Sequence, residues 1–248
     1  MQRPISQRGR FGVVVPSTNT VVEHDYNLVA PAGVTFHAGR MYLANARMGT
    51  DEDFLGLIGQ IRESIGVAVR DVLSCHPDRL VMGMSAETFW DGVDGNARFI
   101  ARIREQSGGL EVTTGASACR EALETFGVNR IAVFSPYQPV ADEQVGRYFT
   151  EAGFTVTAVT GLRCPTATSI AEVGDDVLLR TVRELDADDV DAIVQVGTNL
   201  SFVRLADACE RQLGKPVLAI NAATLWHAIR HHGIDDRFDG VGSILRDH

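Results

Sequence analysis

Four short segments of this chain gather hydroxyl, amide and carboxyl side chains beside proline or glycine: Pro16-Ser17-Thr18-Asn19-Thr20, Met84-Ser85-Ala86-Glu87-Thr88, Ser135-Pro136-Tyr137 and Gly197-Thr198-Asn199. Each closes a strand-like run and opens onto a helical pattern, and in open parallel sheets ligands bind beyond the carboxyl ends of the strands. A helix beginning there offers unpaired backbone N–H groups and the positive end of its dipole, both of which favour an anion. Neutral O–H and N–H donors at such a place suit a small carboxylate. Ser17, Thr18, Asn19, Thr198 and Asn199 are therefore candidate substrate-binding residues. Asn19, Ser85, Thr198 and backbone N–H groups are suited to stabilise an enediolate or tetrahedral oxyanion, a large term in catalysis. Tyr137 is placed to donate or orient a proton. Glu87, the only carboxylate in the four segments, is a candidate general base or acid if partly buried. Phe89 and Trp90 follow it and offer an aromatic wall. Plainer alternatives stay open at every one of these positions: Ser, Thr and Asn are preferred helix caps, a first-turn Glu satisfies the helix dipole, and Phe89 and Trp90 suit a core.

Competing chemistries leave little trace. No P-loop or GxGxxG pattern is present, and Gly108-Gly109 is too short to replace one. No metal site is expected: His231 and His232 are adjacent and cannot share a metal on one helical face, His24 and Asp25 lack a third ligand, and His227 beside Trp226 reads as a packed or surface residue. Cys75, Cys119, Cys164 and Cys209 lie far from one another, without CxxC or zinc-ligand spacing, and read as four reduced thiols in a cytoplasmic protein. The net charge is −9, and the arginines are scattered singly, so no nucleic-acid face is expected. The apolar runs fall short of a membrane span, and the polar opening MQRPISQRGR has no signal-peptide pattern.

The elements that must position the four segments alternate along the chain. Strand-like runs at Phe11–Val15, Val34–Ala38, Arg79–Met82, Ile131–Ser135, Thr155–Thr160, Ala192–Val196 and Pro216–Ile220 are separated by amphipathic stretches, which predicts an α/β fold with parallel sheets. The predicted helices are Asp53–Ser74, with Phe54, Leu57, Ile58, Ile61 and Ile65 on one stripe, then Asn96–Gln106, Ser117–Phe126, Val140–Ala152, Asp175–Leu185, Phe202–Leu213 and Ala223–His232. Gly127, Gly153, Gly214 and Gly233 mark helix ends. The strand end Val13-Val14-Val15-Pro16-Ser17 is echoed by Ala132-Val133-Phe134-Ser135-Pro136, and Asp78–Ser85 by Asp191–Thr198. Two lobes of one topology, related by a pseudo-twofold axis, would bring all four segments to a shared cleft. With 248 residues, 45% of them hydrophobic, the chain has the size for this.

The loops carry a resemblance. Val14-Val15-Pro16-Ser17-Thr18-Asn19-Thr20-Val21-Val22-Glu23, Ser135-Pro136-Tyr137, Gly197-Thr198-Asn199-Leu200 and Ile220-Asn221-Ala222-Ala223-Thr224-Leu225-Trp226 together resemble the maleate cis-trans isomerase and arylmalonate decarboxylase group of the aspartate/glutamate racemase superfamily. The resemblance runs from Gly12 to about Gly240. It implies two pseudo-symmetric α/β lobes, each a mainly parallel sheet flanked by helices, here 1–116 with 224–248 and 117–223, with the active site between them. It also implies a homo-oligomer that works without metal or organic cofactor on a small carboxylic acid. Asn19 matches the family's substrate-binding Asn, Tyr137 its substrate-contacting Tyr, and Thr198-Asn199 the pair after the second catalytic cysteine. The two thiol positions fall on Gly83 (or Met84) and on Gly197, which makes these further candidate cleft residues and leaves neither thiol in place. Two-base racemisation and thiol addition to maleate then lose their chemical agent. A decarboxylase-like lyase, or a hydrolase, is favoured; a maleate isomerase or racemase with relocated acid–base groups and a non-catalytic carboxylate-binding protein are the alternatives.

Overall fold

The computed structural model of the chain describes residues 5–248, so the first four residues of the polar opening segment and of the first lobe's range lie outside it. Among the described residues, eight strands form two sheets. The first contains β1 (Gly9–Pro16), β2 (Val34–Met41), β3 (Arg79–Met82) and β4 (Val112–Thr113) in the order β2-β1-β3-β4; the second contains β5 (Arg130–Ser135), β6 (Thr155–Gly161), β7 (Ala192–Gln195) and β8 (Val217–Ala219) in the order β6-β5-β7-β8. Within both sheets the strands pair in parallel. The two orders are the same pattern repeated, which is the internal echo made physical. Val14 pairs with Met82 in one sheet and Phe134 with Gln195 in the other, so the strand ends that carry the four segments lie side by side within each sheet.

The helices form where apolar spacing and capping agree. Helix α1 (Val22–Leu28) follows β1, and α2 (Asp51–Leu73) starts at Thr50, whose hydroxyl accepts the Asp53 N–H at 3.1 Å while Asp51, Glu52 and Asp53 meet the positive end of the dipole. All five residues of its predicted stripe are buried, each contributing roughly 1.5–3 kcal/mol of burial. Helices α3 (Ala86–Phe89) and α4 (Gly92–Gln106) follow β3, and α5 (Gly115–Phe126) leads from β4 to β5. The second sheet is flanked by α6 (Pro139–Glu151), α7 (Asp175–Leu185), α8 (Val203–Leu213) and α9 (Ile220–Arg230), and α10 (Ser243–Asp247) ends the chain. Gly127, Gly153, Gly214 and Gly233 all have positive φ just beyond helices, as their helix-stop positions predict.

Three departures from the sequence expectation have simple causes. Strand β4 is two residues long and carries no alternation to detect. Helices α1 and α3 span only two turns or fewer, too short for a periodic signal. Helix α9 begins at Ile220 instead of Ala223, shortening β8 to three residues and placing Asn221 in a first helical turn. Among the described residues no helix is long and apolar enough to cross a membrane.

Candidate active site

The four segments converge on one cavity of about 60 Å³ between the sheets. Its polar lining comes from Thr18, Asn19, Ser85, Tyr137, Thr198 and Asn199, with Met84 and Gly197 also at its surface. A chain of hydrogen bonds joins the loops across it. The Tyr137 hydroxyl and Ser85 Oγ are 2.6 Å apart, and Ser85 Oγ accepts the Thr198 N–H at 3.3 Å. Thr198 Oγ1 donates to the Gly83 carbonyl at 3.1 Å and accepts from Asn19 Nδ2 at 3.3 Å. Asn19 Oδ1 accepts the N–H groups of Val21 and Val22, each at 3.0 Å. This side chain therefore caps α1 with its oxygen and aims its amide nitrogen across the cleft. The capping and substrate-binding readings of Asn19 are compatible, because they use opposite ends of one amide.

Tyr137 is fixed by its backbone. Ser135 Oγ accepts the Tyr137 N–H at 2.9 Å and donates to Asp142, while Arg163 donates to the Tyr137 carbonyl at 2.6 Å and pairs with Asp142. Burial pushes the Tyr137 phenol well above its ordinary pKa, against the opposing hydrogen bond from Ser85, so the group stays a protonated donor. Its ring meets Phe54 edge-on at 5.3 Å.

Ser17, Gly83 and Glu87 stand outside the cavity lining. Ser17 ties the end of β1 to the chain after β2: its N–H reaches the Met41 carbonyl at 2.7 Å, and its hydroxyl accepts the Leu43 N–H at 3.1 Å. Gly83 contributes only its carbonyl; a Cβ there would lie 2.4 Å from Val15 Cγ1, aimed at the valine core. Glu87, a candidate general acid or base, lies away from the cavity. Its buried carboxylate takes Arg62 Nε on both oxygens at 2.9 Å and borders a separate depression with Arg62, Trp90, Arg98 and Arg102. Two residues along a short helix turn Ser85 inward and Glu87 outward. The Phe89-Trp90 wall is likewise absent from the cavity: Phe89 packs on Tyr148 and Phe149 in the core, and Trp90 lies beneath the Arg62 guanidinium.

The apolar wall comes from residues whose cavity role the sequence did not signal. Phe54, Leu57 and Ile61 of the α2 stripe face the cavity, joined by Leu43, Met48 and Ile170. A single helical stripe serves core and site together, and periodicity cannot separate the two uses. No charged side chain and none of the four cysteines lines the cavity. Burial raises the Cys119 and Cys164 thiols, the latter to about 11, which favours their protonated form.

Gly197, at the second thiol position of the resemblance, has φ +101°, and a Cβ there would lie 2.4 Å from Pro136 Cδ. Its backbone occupies a region that disfavours any L side chain.

Comparison with known proteins agrees with this architecture. The family model for arylmalonate decarboxylase matches residues 11–245. A maleate isomerase of Nocardia farcinica is 26% identical over 247 residues, covering 96% of this chain and 95% of that protein. An arylmalonate decarboxylase of Bordetella bronchiseptica is 28% identical over 211 residues, covering 79% and 87%. Among solved structures, the Nocardia farcinica maleate cis-trans isomerase with a covalently bound succinylcysteine intermediate superposes with a TM-score of 0.84 at 24% identity, over 96% of this chain and 98% of that one. A liganded arylmalonate decarboxylase variant gives 0.83 at 24% identity, over 96% and 99%.

Proposed function

The chain belongs to the arylmalonate decarboxylase family, and from that premise we propose that it is a lyase that breaks a carbon–carbon bond next to a carboxylate of a small organic acid, a substituted malonate being the fitting substrate. The observation that carries this reading is the make-up of the cavity: an apolar wall, neutral donors at one side, and no thiol. One carboxylate of a malonate finds N–H and O–H donors at Asn19, Ser85 and Thr198. The other lies against Leu43, Phe54 and Leu57, where its charge is poorly solvated, and loss of CO2 relieves that cost. As the bond breaks, its electron pair passes into the remaining carboxylate to form an enediolate, whose charge the preorganised donors stabilise. Tyr137 then protonates the carbon. Its burial keeps the phenol protonated, and even a weakened phenol is a far stronger acid than a C–H beside a carboxylate. Ser85, 2.6 Å away, is placed to return a proton drawn from solvent.

Sequence likeness to maleate isomerases favours a second reading, isomerisation of maleate. The succinylcysteine in the Nocardia structure is a thiol joined to a four-carbon diacid in that protein; the resemblance puts the two thiol positions of this chain on Gly83 (or Met84) and Gly197, none of them a cysteine, which weighs against the same step. One assay separates the readings. Carbon dioxide release from a panel of α-substituted malonates, and maleate-to-fumarate conversion, are followed by NMR before and after blocking the thiols with iodoacetamide. We expect malonate decarboxylation that survives blocking. Tyr137→Phe should lower kcat by about 10²–10⁴-fold, while Glu87→Gln leaves it near wild type. Maleate turnover abolished by iodoacetamide would establish the isomerase instead, and calorimetric binding without any product would establish a carboxylate-binding protein.

A further inference from the structure

Helices α5 and α9 pack against each other, and where they meet, three side chains with metal-ligand chemistry converge. His227 and His231 are one helical turn apart, so both project from the same face of α9. Their rings stack, with centroids 4.1 Å apart and planes inclined by 18°. Glu121 reaches them from α5: one carboxylate oxygen lies 2.7 Å from His231 Nε2 and the other 3.3 Å from His227 Nε2. One ligand atom from each of the three residues lies within 4.8 Å of the other two.

We propose that Glu121, His227 and His231 bind a single divalent transition-metal ion of the zinc type. Two imidazole nitrogens and a carboxylate oxygen form a usual three-ligand zinc set, with a fourth position left for water. Zinc–ligand distances of about 2.0–2.1 Å place tetrahedral ligand atoms roughly 3.3 Å apart; the two carboxylate–imidazole contacts already lie near that spacing, and the set as a whole, within 4.8 Å, has to draw in to enclose an ion. His231 and Glu121 are partly exposed, which leaves them room to adjust and a solvent side for the water. His227 is nearly buried, and its Nδ1 lies 3.1 Å from the hydroxyl of Thr113, a fully buried residue of β4. Metal-bound histidines characteristically donate their second ring nitrogen in this way, which fixes ring orientation. Thr113 Oγ1 can donate or accept, so His227 can move its proton from Nε2 to Nδ1 on binding without changing net charge.

An ion there would clamp α5, the crossing from the first sheet to the second, onto α9, at the opposite end of α9 from Asn221. Its expected role is to hold the lobes together without entering the reaction. The adjacency of His231 and His232 in the sequence concealed the pair that matters, His227 with His231, and the third ligand lies more than a hundred residues away.

The test uses the full chain, stripped of metal with a chelator and titrated with zinc chloride by calorimetry and with cobalt(II) by visible absorption. We expect one equivalent of zinc per chain, a zinc-dependent rise in Tm, and the ligand-field bands of four-coordinate cobalt. His231→Gln and Glu121→Gln should each weaken zinc binding roughly 10-fold or more while leaving turnover unchanged. Circular dichroism of the metal-free variants, matched to wild type, shows that the loss is not misfolding. Zinc binding that is absent in wild type, or equally strong in both variants, overturns the site and leaves the three residues as a charge cluster only.

Discussion

Asp25, in α1, shows how one side chain acquires its chemistry from surroundings that its sequence neighbours do not reveal. Its carboxylate is buried and accepts from Asn221 Nδ2 at 2.7 Å; the same amide donates to the Thr198 carbonyl at 3.0 Å, so Asp25 stands directly behind the loop that carries Thr198. Burial raises its pKa to about 6, against the opposing effects of Asn221 and His24. In the unfolded chain it ionises near its ordinary value of 3.8. The folded state therefore holds the extra proton between these values, and its stability declines as pH rises from about 4 to about 6, then stays flat, a loss of about 3 kcal/mol. Asp25→Asn keeps an oxygen for Asn221 and removes the charge. Urea midpoints should show the variant more stable than wild type near pH 8 and equal to it near pH 4; equality at both would remove Asp25 from the account. At this scale the sequence revealed types and not directions. Ser85 and Glu87 were both legible as polar residues at a strand end, yet only Ser85 faces the cavity, because about half a turn of helix sends the other to Arg62.

The loop after β7 carries the donors on which the proposed reaction would depend. Gly197 adopts φ +101° and passes close to Pro136, which lets the Thr198 N–H reach Ser85. Gly197→Ala should cost about 1–3 kcal/mol from backbone strain plus displacement of Pro136, read as a lower Tm together with a loss of turnover larger than the folded fraction explains. A variant as stable and active as wild type would show the loop to be freely adaptable. The same geometry means that Gly197→Cys would not simply restore a family thiol. The long elements were legible, since their apolar spacing and glycine stops are written locally. Strand β4 and helices α1 and α3 were not, since each is too short to show a period; β4 is held by its pairing with β3, and α1 is capped by Asn19.

Across the whole molecule, the site is also the seam between the sheets. Asn199 Oδ1 accepts the Thr20 N–H at 2.9 Å, and its amide donates to the Ala167 carbonyl at 2.9 Å, tying the loop after β7 to the loop after β1. Asn199→Ala would leave the buried Ala167 carbonyl unpaired and cut the tie to the Thr20 N–H, and should cost about 1–3 kcal/mol, seen as a lower urea midpoint and a raised KM from a looser cleft. An unchanged midpoint would mean that the lobes are held elsewhere. The division proposed at 223/224 runs through α9, which begins in the second sheet's territory and packs on α5, α1 and α10; we propose that this helix is shared by both lobes. The sequence by itself determined the alternation of strand and helix, the repeated strand ends and the family, because each is encoded in local spacing and residue type. Only the tertiary structure decided that Phe54, Leu57 and Ile61 wall the cavity, that Glu87 leaves it, and that Glu121 meets two histidines far along the chain. Those outcomes depend on which face each element turns towards another, and packing between segments distant in sequence sets that orientation.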